Sequence, residues 1–89
     1  MATSFSRDIR PLFTDKDATC MKPRGILLED YTYMSSAQGD VDYPDHSHAR
    51  HVYARLVGTE TPRMPRGGPY WSAAEIGLFA SWMDSGYLP

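Results

Sequence analysis

An all-α fold, a small bundle of three to four short helices with long Gly/Pro loops, is predicted by three observations. Apolar residues recur at helical spacing in several short segments, and no segment alternates as a half-buried strand would. Start and stop signals bracket those segments, with Asp or Ser before them and glycine after them. Seven glycines and seven prolines break up the chain between them, so the connections are long. The 89 residues are 42% hydrophobic and 22% charged. That composition suits a globule rather than a disordered chain. A single domain over residues 1–89 is expected, with residues 1–4 flexible.

The first helix is expected around residues 8–13. Asp8 is read as its N-cap, which puts Pro11 in the first turn, where a missing N–H costs nothing. Ile9, Leu12 and Phe13 then share one face. Lys22-Pro23-Arg24-Gly25 reads as a loop. Asp30 caps a short helix running through Tyr31 and Met34 and ending before Gly39. Residues 35–45 are loop, closed by Pro44.

Asp45 or Ser47 caps the next helix, whose apolar stripe is Ala49, Val52, Tyr53, Leu56 and Val57 and whose stop is Gly58. Pro62, Pro65, Gly67, Gly68 and Pro69 make residues 58–71 an extended or turning loop, and connections of that length are often functional. Ser72-Ala73-Ala74-Glu75 is a capping box that opens the last helix. Ile76, Phe79, Ala80, Trp82 and Met83 form its buried face, and Gly86 is its left-handed stop.

The net charge is −2, and no basic footprint suggests nucleic acid. The charge is nevertheless blocky. Residues 27–48 hold Glu29, Asp30, Asp40, Asp42 and Asp45 and no Lys or Arg, whereas residues 49–68 set Arg50, Arg55, Arg63 and Arg66 against Glu60. Two solvated faces of opposite sign are the expectation, with a docking surface as the alternative. The single cysteine, Cys20, excludes an intramolecular disulfide. The amino-terminal residues lack an apolar stretch and include Asp8, and no run approaches the ~18 apolar residues of a membrane span. A cytoplasmic protein with no membrane partner is therefore expected.

All three histidines fall in Asp45-His46-Ser47-His48-Ala49-Arg50-His51. On a helix His48 and His51 lie on one face and His46 on another. A zinc or copper site would need a further ligand such as Asp42 or Asp45. The favoured reading is surface histidines, with no metal at His46, His48 or His51. There is no Gly-rich phosphate loop or nucleophile elbow, and nothing marks Cys20 as a nucleophile. Enzymatic activity is therefore not expected. Trp82 reads as core. Tyr70 and Trp71, just before the last helix, read either as a hydrophobic staple or as a partly exposed recognition edge.

The order of these pieces resembles a class I cytochrome c domain. Residues 5–13 resemble the helix leading into that family's haem-attachment motif. Arg63-Met64-Pro65 resembles its Met-Pro axial-ligand loop, and residues 72–86, with Glu75-Ile76 and Trp82, resemble its last helix. The resemblance covers most of residues 5–89 and is weakest over 35–45. It also implies a loss. Asp17-Ala18-Thr19-Cys20-Met21 falls where the family has Cys-x-x-Cys-His, so Asp17 stands for the first cysteine and Met21 for the histidine. Two thioether links cannot form, and the proximal imidazole is gone.

The resemblance thus implies a haem-free cytochrome c-like domain with no cofactor, its former haem site marked by Asp17, Cys20, Met21 and Met64. The vacated volume must be filled, with Tyr31, Tyr33, Tyr53, Tyr70, Trp71, Met21, Met34 and Met64 as candidates. The expected function is an accessory or protein-interaction module that docks on a redox or biosynthetic partner enzyme. Its docking rim would be Lys22, Arg24, Arg63, Arg66, Tyr70 and Trp71. The alternative is an electron-transfer or metal-binding protein, with non-covalent haem or copper held by Met21, Met64 and Cys20.

Overall fold

The computed structural model describes residues 3–61, 63, 64 and 69–89. Pro62, Pro65, Arg66, Gly67 and Gly68, named above, lie outside them. Every regular element among the described residues is helical, which matches the all-α expectation. None of these helices is long and apolar enough to cross a membrane.

The chain enters its first turn earlier than expected. Ser4, not Asp8, is the N-cap: its Oγ accepts from the Arg7 N–H, while the Asp8 carboxylate accepts from the Ser4 N–H at 2.8 Å. Asp8 works from inside the turn because a carboxylate there reaches back to an orphan amide. A π-type turn at Phe5–Ile9 runs into a 3-10 turn at Arg10–Leu12, and Pro11 sits near the start of the latter, where no donor is missed. Phe5, Ile9 and Phe13 are buried. Within the stretch expected to be flexible, Thr3 is buried and the Ser4 Oγ donates to the Pro89 carbonyl at 2.7 Å.

Helix α1 spans Asp15–Met21 and is held by a capping box: the Thr14 hydroxyl accepts from the Asp17 N–H and the Asp17 carboxylate accepts from the Thr14 N–H, both at 3.1 Å. The stretch expected to be loop continues as a 3-10 turn, Lys22–Arg24, closed by Gly25 at φ 78°. Helix α2, Tyr31–Met34, is capped by Asp30 as expected.

Helix α3 spans Ser47–Val57, but neither expected residue caps it. Its N-cap is His46, in the left-handed region at φ 46°. The Asp45 carboxylate is taken by Arg50 at 2.8 Å, and the Ser47 hydroxyl donates to the Gln38 carbonyl. Ala49, Val52 and Leu56 are buried as the stripe predicts, but Val57 is exposed and Ala54 is buried. Gly58 ends the helix at φ 100°.

Helix α4, Ala73–Asp84, has the expected box: the Ser72 Oγ accepts from the Glu75 N–H at 3.2 Å, and the Glu75 carboxylate accepts from the Ser72 N–H at 2.8 Å. Phe79 and Trp82 are fully buried, whereas Ile76, Ala80 and Met83 are half-buried.

One hydrophobic cluster holds these elements together. The Trp82 ring lies 5.4 Å from Phe5, 5.5 Å from Phe79 and 5.1 Å from Tyr87. Its Nε1–H donates to the Leu88 carbonyl at 2.8 Å, and the same carbonyl accepts from the Phe5 N–H at 2.9 Å. Tyr31 adds a hydroxyl bond to the Tyr87 carbonyl. The two ends of the chain are therefore tied together over α4.

Truncation at Trp82 removes both a ring from the centre of the core and the donor that holds the C-terminal tail. In urea unfolding, Trp82→Ala should lose ~3–5 kcal/mol, and Ser72→Ala about 1 kcal/mol through the lost cap. A near-neutral Trp82→Ala would show that α4 does not depend on this packing.

Candidate functional site

Two concavities carry the chemistry-bearing side chains. The first lies between α1, α3 and the segment leading into α4. It is lined by Phe13, Lys16, Asp17, Cys20, Met21, Leu28, Leu56, Met64 and Trp71. Lys16, Asp17, Cys20 and Met21 reach it together because their spacing puts them along one side of α1. Met64 arrives from far along the chain, and its N–H donates to the Arg55 carbonyl of α3 at 2.9 Å. All four positions that the sequence marked, Asp17, Cys20, Met21 and Met64, thus border one space.

That space measures only about 20 Å³, room for roughly one water molecule. Met21 and Met64 are 2% exposed and Trp71 7%; these three are the candidates that close it. Trp71 packs on Phe13 with ring centroids 4.9 Å apart. Of the other expected fillers, Met34 is fully buried elsewhere in the core, Tyr31, Tyr33 and Tyr53 are half-buried, and Tyr70 is 51% exposed. Cys20 is exposed, so its thiol stands at the lip of the cavity. The Asp17 carboxylate is occupied as the α1 cap.

Among the described residues, those expected to form a docking rim do not all line one concavity. Lys22 pairs with Glu29 at 3.0 Å. Arg24 is exposed and lines the second concavity instead. Trp71 is buried and is not an exposed edge. Arg66 lies outside the described residues. The Arg63 guanidinium stands 4.1 Å over the Tyr70 ring, and both residues are exposed. Among the described residues, charges of neighbouring blocks pair with one another: Glu29 with Lys22 and Arg10, Asp45 with Arg50, and Asp40 with His51.

Comparison with family models, with curated proteins and with solved structures gives no match to this chain.

The second concavity, of about 290 Å³, is lined by Arg24, Ile26, Tyr33, Asp40, His48, His51, Arg55 and Glu60. The three histidines have separate roles, and of them His48 and His51 line it. His46 stacks on Tyr87 at 4.0 Å. His48 stacks on Tyr33 at 3.9 Å, with its Nδ1 2.9 Å from the Tyr33 carbonyl. His51 is held by acids on both sides: Nδ1 lies 2.6 Å from Glu60, and Nε2 lies 2.9 Å from Asp40 and 3.4 Å from Asp42. Glu60 also pairs with the Arg55 Nε at 3.1 Å. Of the two extra ligands that the sequence suggests, Asp42 reaches His51, whereas Asp45 lies against Arg50 and His46; Asp40 and Glu60 were missed. Their only sequence signal is their charge, because loop folding brings them to His51.

Burial alone would lower the His51 pKa, but hydrogen bonds and charge from Glu60 and Asp40 outweigh it and raise the value. Burial would raise that of Asp40, but the Tyr43 N–H, the His51 ring and the Asp42 N–H bring it below the ordinary carboxylate value. A raised histidine stabilises the fold fully below its unfolded value of about 6.5 and less as pH rises through the folded value. A lowered Asp40 stabilises it above about 3.9 and less as pH falls through the folded value.

With a chelator present, urea unfolding should therefore show the largest advantage of wild type over His51→Gln between about pH 4 and pH 6.5, shrinking as pH rises through the raised His51 value. An advantage that stayed constant over that rise would rule out the ion-pair account of His51.

Proposed function

We propose that this chain is a haem-free, cytochrome c-like module that binds a protein partner. One observation carries the reading. Asp17, Cys20, Met21 and Met64, the positions that the resemblance assigns to the haem motif and its axial ligand, border a single cavity of about 20 Å³. Met21, Met64 and Trp71 occupy the surrounding volume. A macrocycle does not fit there without opening the core, and the lone Cys20 thiol offers at most one thioether link.

With its interior closed, such a domain acts through its surface. The exposed Arg63–Tyr70 pair precedes the buried Trp71. It joins an aromatic ring to a cation, a combination that anchors acidic and apolar partner surfaces. The proposed partner is a redox or biosynthetic enzyme presenting an acidic patch.

A second reading rests on the sulfurs. Cys20, Met21 and Met64 border the same space, and a thiolate with two thioethers is a soft donor set that suits Cu(I). On this reading the protein carries copper. Competition for Cu(I) against a chelator separates the two: affinity lost in Met64→Leu and Cys20→Ser would favour the copper reading.

The docking reading is checked by placing a photo-reactive benzoylphenylalanine at position 70 or, as a control, at the fully exposed Val41, in the native host. Cross-linking to one protein is expected from position 70 and not from position 41, and Arg63→Glu should reduce it at least fivefold. Equal cross-linking from both positions, or none lost with Arg63→Glu, would place the interface elsewhere.

A further inference from the structure

The second concavity holds a constellation that the docking reading does not use. The loop before α3 folds tightly on itself: a Cβ at Gly39 would collide with the Pro44 carbonyl. The Asp40 N–H donates to the Tyr43 carbonyl at 2.8 Å. The Asp40 Oδ1 accepts from the N–H groups of Asp42 and Tyr43 at 2.9 and 3.0 Å, which leaves Oδ2 turned toward His51. The Asp42 Oδ2 reaches the same ring nitrogen, and the atoms that Asp40, Asp42 and His51 offer all lie within 4.8 Å of one another.

The ring that these carboxylates meet is fixed in orientation. Glu60 holds Nδ1, Arg55 holds Glu60, and Tyr43 packs edge-on against the imidazole at 4.8 Å. A carboxylate on one imidazole nitrogen, with the other nitrogen facing further oxygen donors, is the arrangement in which histidine ligates metals. The spacing of each carboxylate from the ring nitrogen fits as well. Neighbouring donors on an ion with bonds of about 2.1 Å stand about 3.0 Å apart in an octahedron and about 3.4 Å apart in a tetrahedron. The two Nε2–oxygen separations are 2.9 and 3.4 Å.

We propose that Asp40, Asp42 and His51 form a binding site for a divalent transition-metal ion, with Zn²⁺ the ion that one imidazole and two carboxylates suit. The ion takes the place of the Nε2 proton now shared with Asp40. Three protein ligands leave a coordination position for water or an anionic ligand. Asp40 and His51 also line the cleft of about 290 Å³, where Arg24 and Arg55 supply positive charge for such an anion. This site is separate from the sulfur-lined cavity and stands whether or not a protein partner docks at Arg63 and Tyr70.

Calorimetric titration of the metal-free protein with Zn²⁺ tests it. Three chains are compared: wild type, Asp42→Asn and Cys20→Ser. Asp42 is exposed, so its variant should fold, and Cys20→Ser removes the exposed thiol that could bind zinc on its own. One ion per chain is expected for wild type and for Cys20→Ser with equal affinity, and at least a tenfold loss of affinity for Asp42→Asn. No saturable binding, binding unchanged in Asp42→Asn, or any loss of affinity in Cys20→Ser would overturn the proposal.

Discussion

Close packing between α1, α3 and the Met64 and Trp71 side chains is the constraint on which the rest of the molecule depends. A chain of 89 residues has a small core, and an unfilled void in it costs about 24 cal/mol per Å³. Space on the scale of a large cofactor would consume a sizeable share of the net stability of such a domain. The side chains that close it suit the task. Methionine adapts to irregular gaps, and Trp71 contributes a large flat surface against Phe13. Because Met21 and Met64 meet here, α1 must lie with this side inward. Cys20 is thereby left at the surface and Asp17 is free to serve as a cap.

The same economy governs the charges. Acidic residues that look like one solvated block along the chain are distributed onto separate cations in space. Most of these pairs are exposed and contribute little one by one. His51 differs because it is ringed by acids and joined through Glu60 to Arg55. It ties the middle of α3 to the loops on either side of that helix, so the cleft walls and the helix are held as one unit. A proton or a metal ion on that ring satisfies the same acids.

Much of the framework was legible in the sequence wherever the signal was local. The Ser72–Glu75 box, the Asp30 cap and the Gly58 stop each depend on residues within a turn of one another. Thr14 and Asp17 carry the same kind of signal and start α1, although Asp17 falls where the resemblance places a cysteine. Ser4 and Asp8 illustrate a different ambiguity, since either can satisfy orphan amides at a helix start. His46 could not be foreseen, because a non-glycine residue at positive φ is held by its surroundings, here the stack on Tyr87. The candidate sites divide in the same way. Cys20 and Met21 are sequence neighbours, and Met64 joins them only by the resemblance. The grouping of Asp40, Asp42 and Glu60 around His51 arises from two loops that no local pattern records, and the burial of Trp71 depends on Phe13 arriving from the other end of the chain.

On the proposed reading, the chain's own side chains fill the space that the resemblance assigns to a haem. Titration of the purified protein with haemin, followed by absorption spectroscopy, tests it most directly. No saturable one-to-one complex and no methionine-ligated spectrum are expected, with wild type and Met64→Leu behaving alike. A one-to-one complex with a sharp Soret band that weakens in Met64→Leu would show that the space is open to a haem.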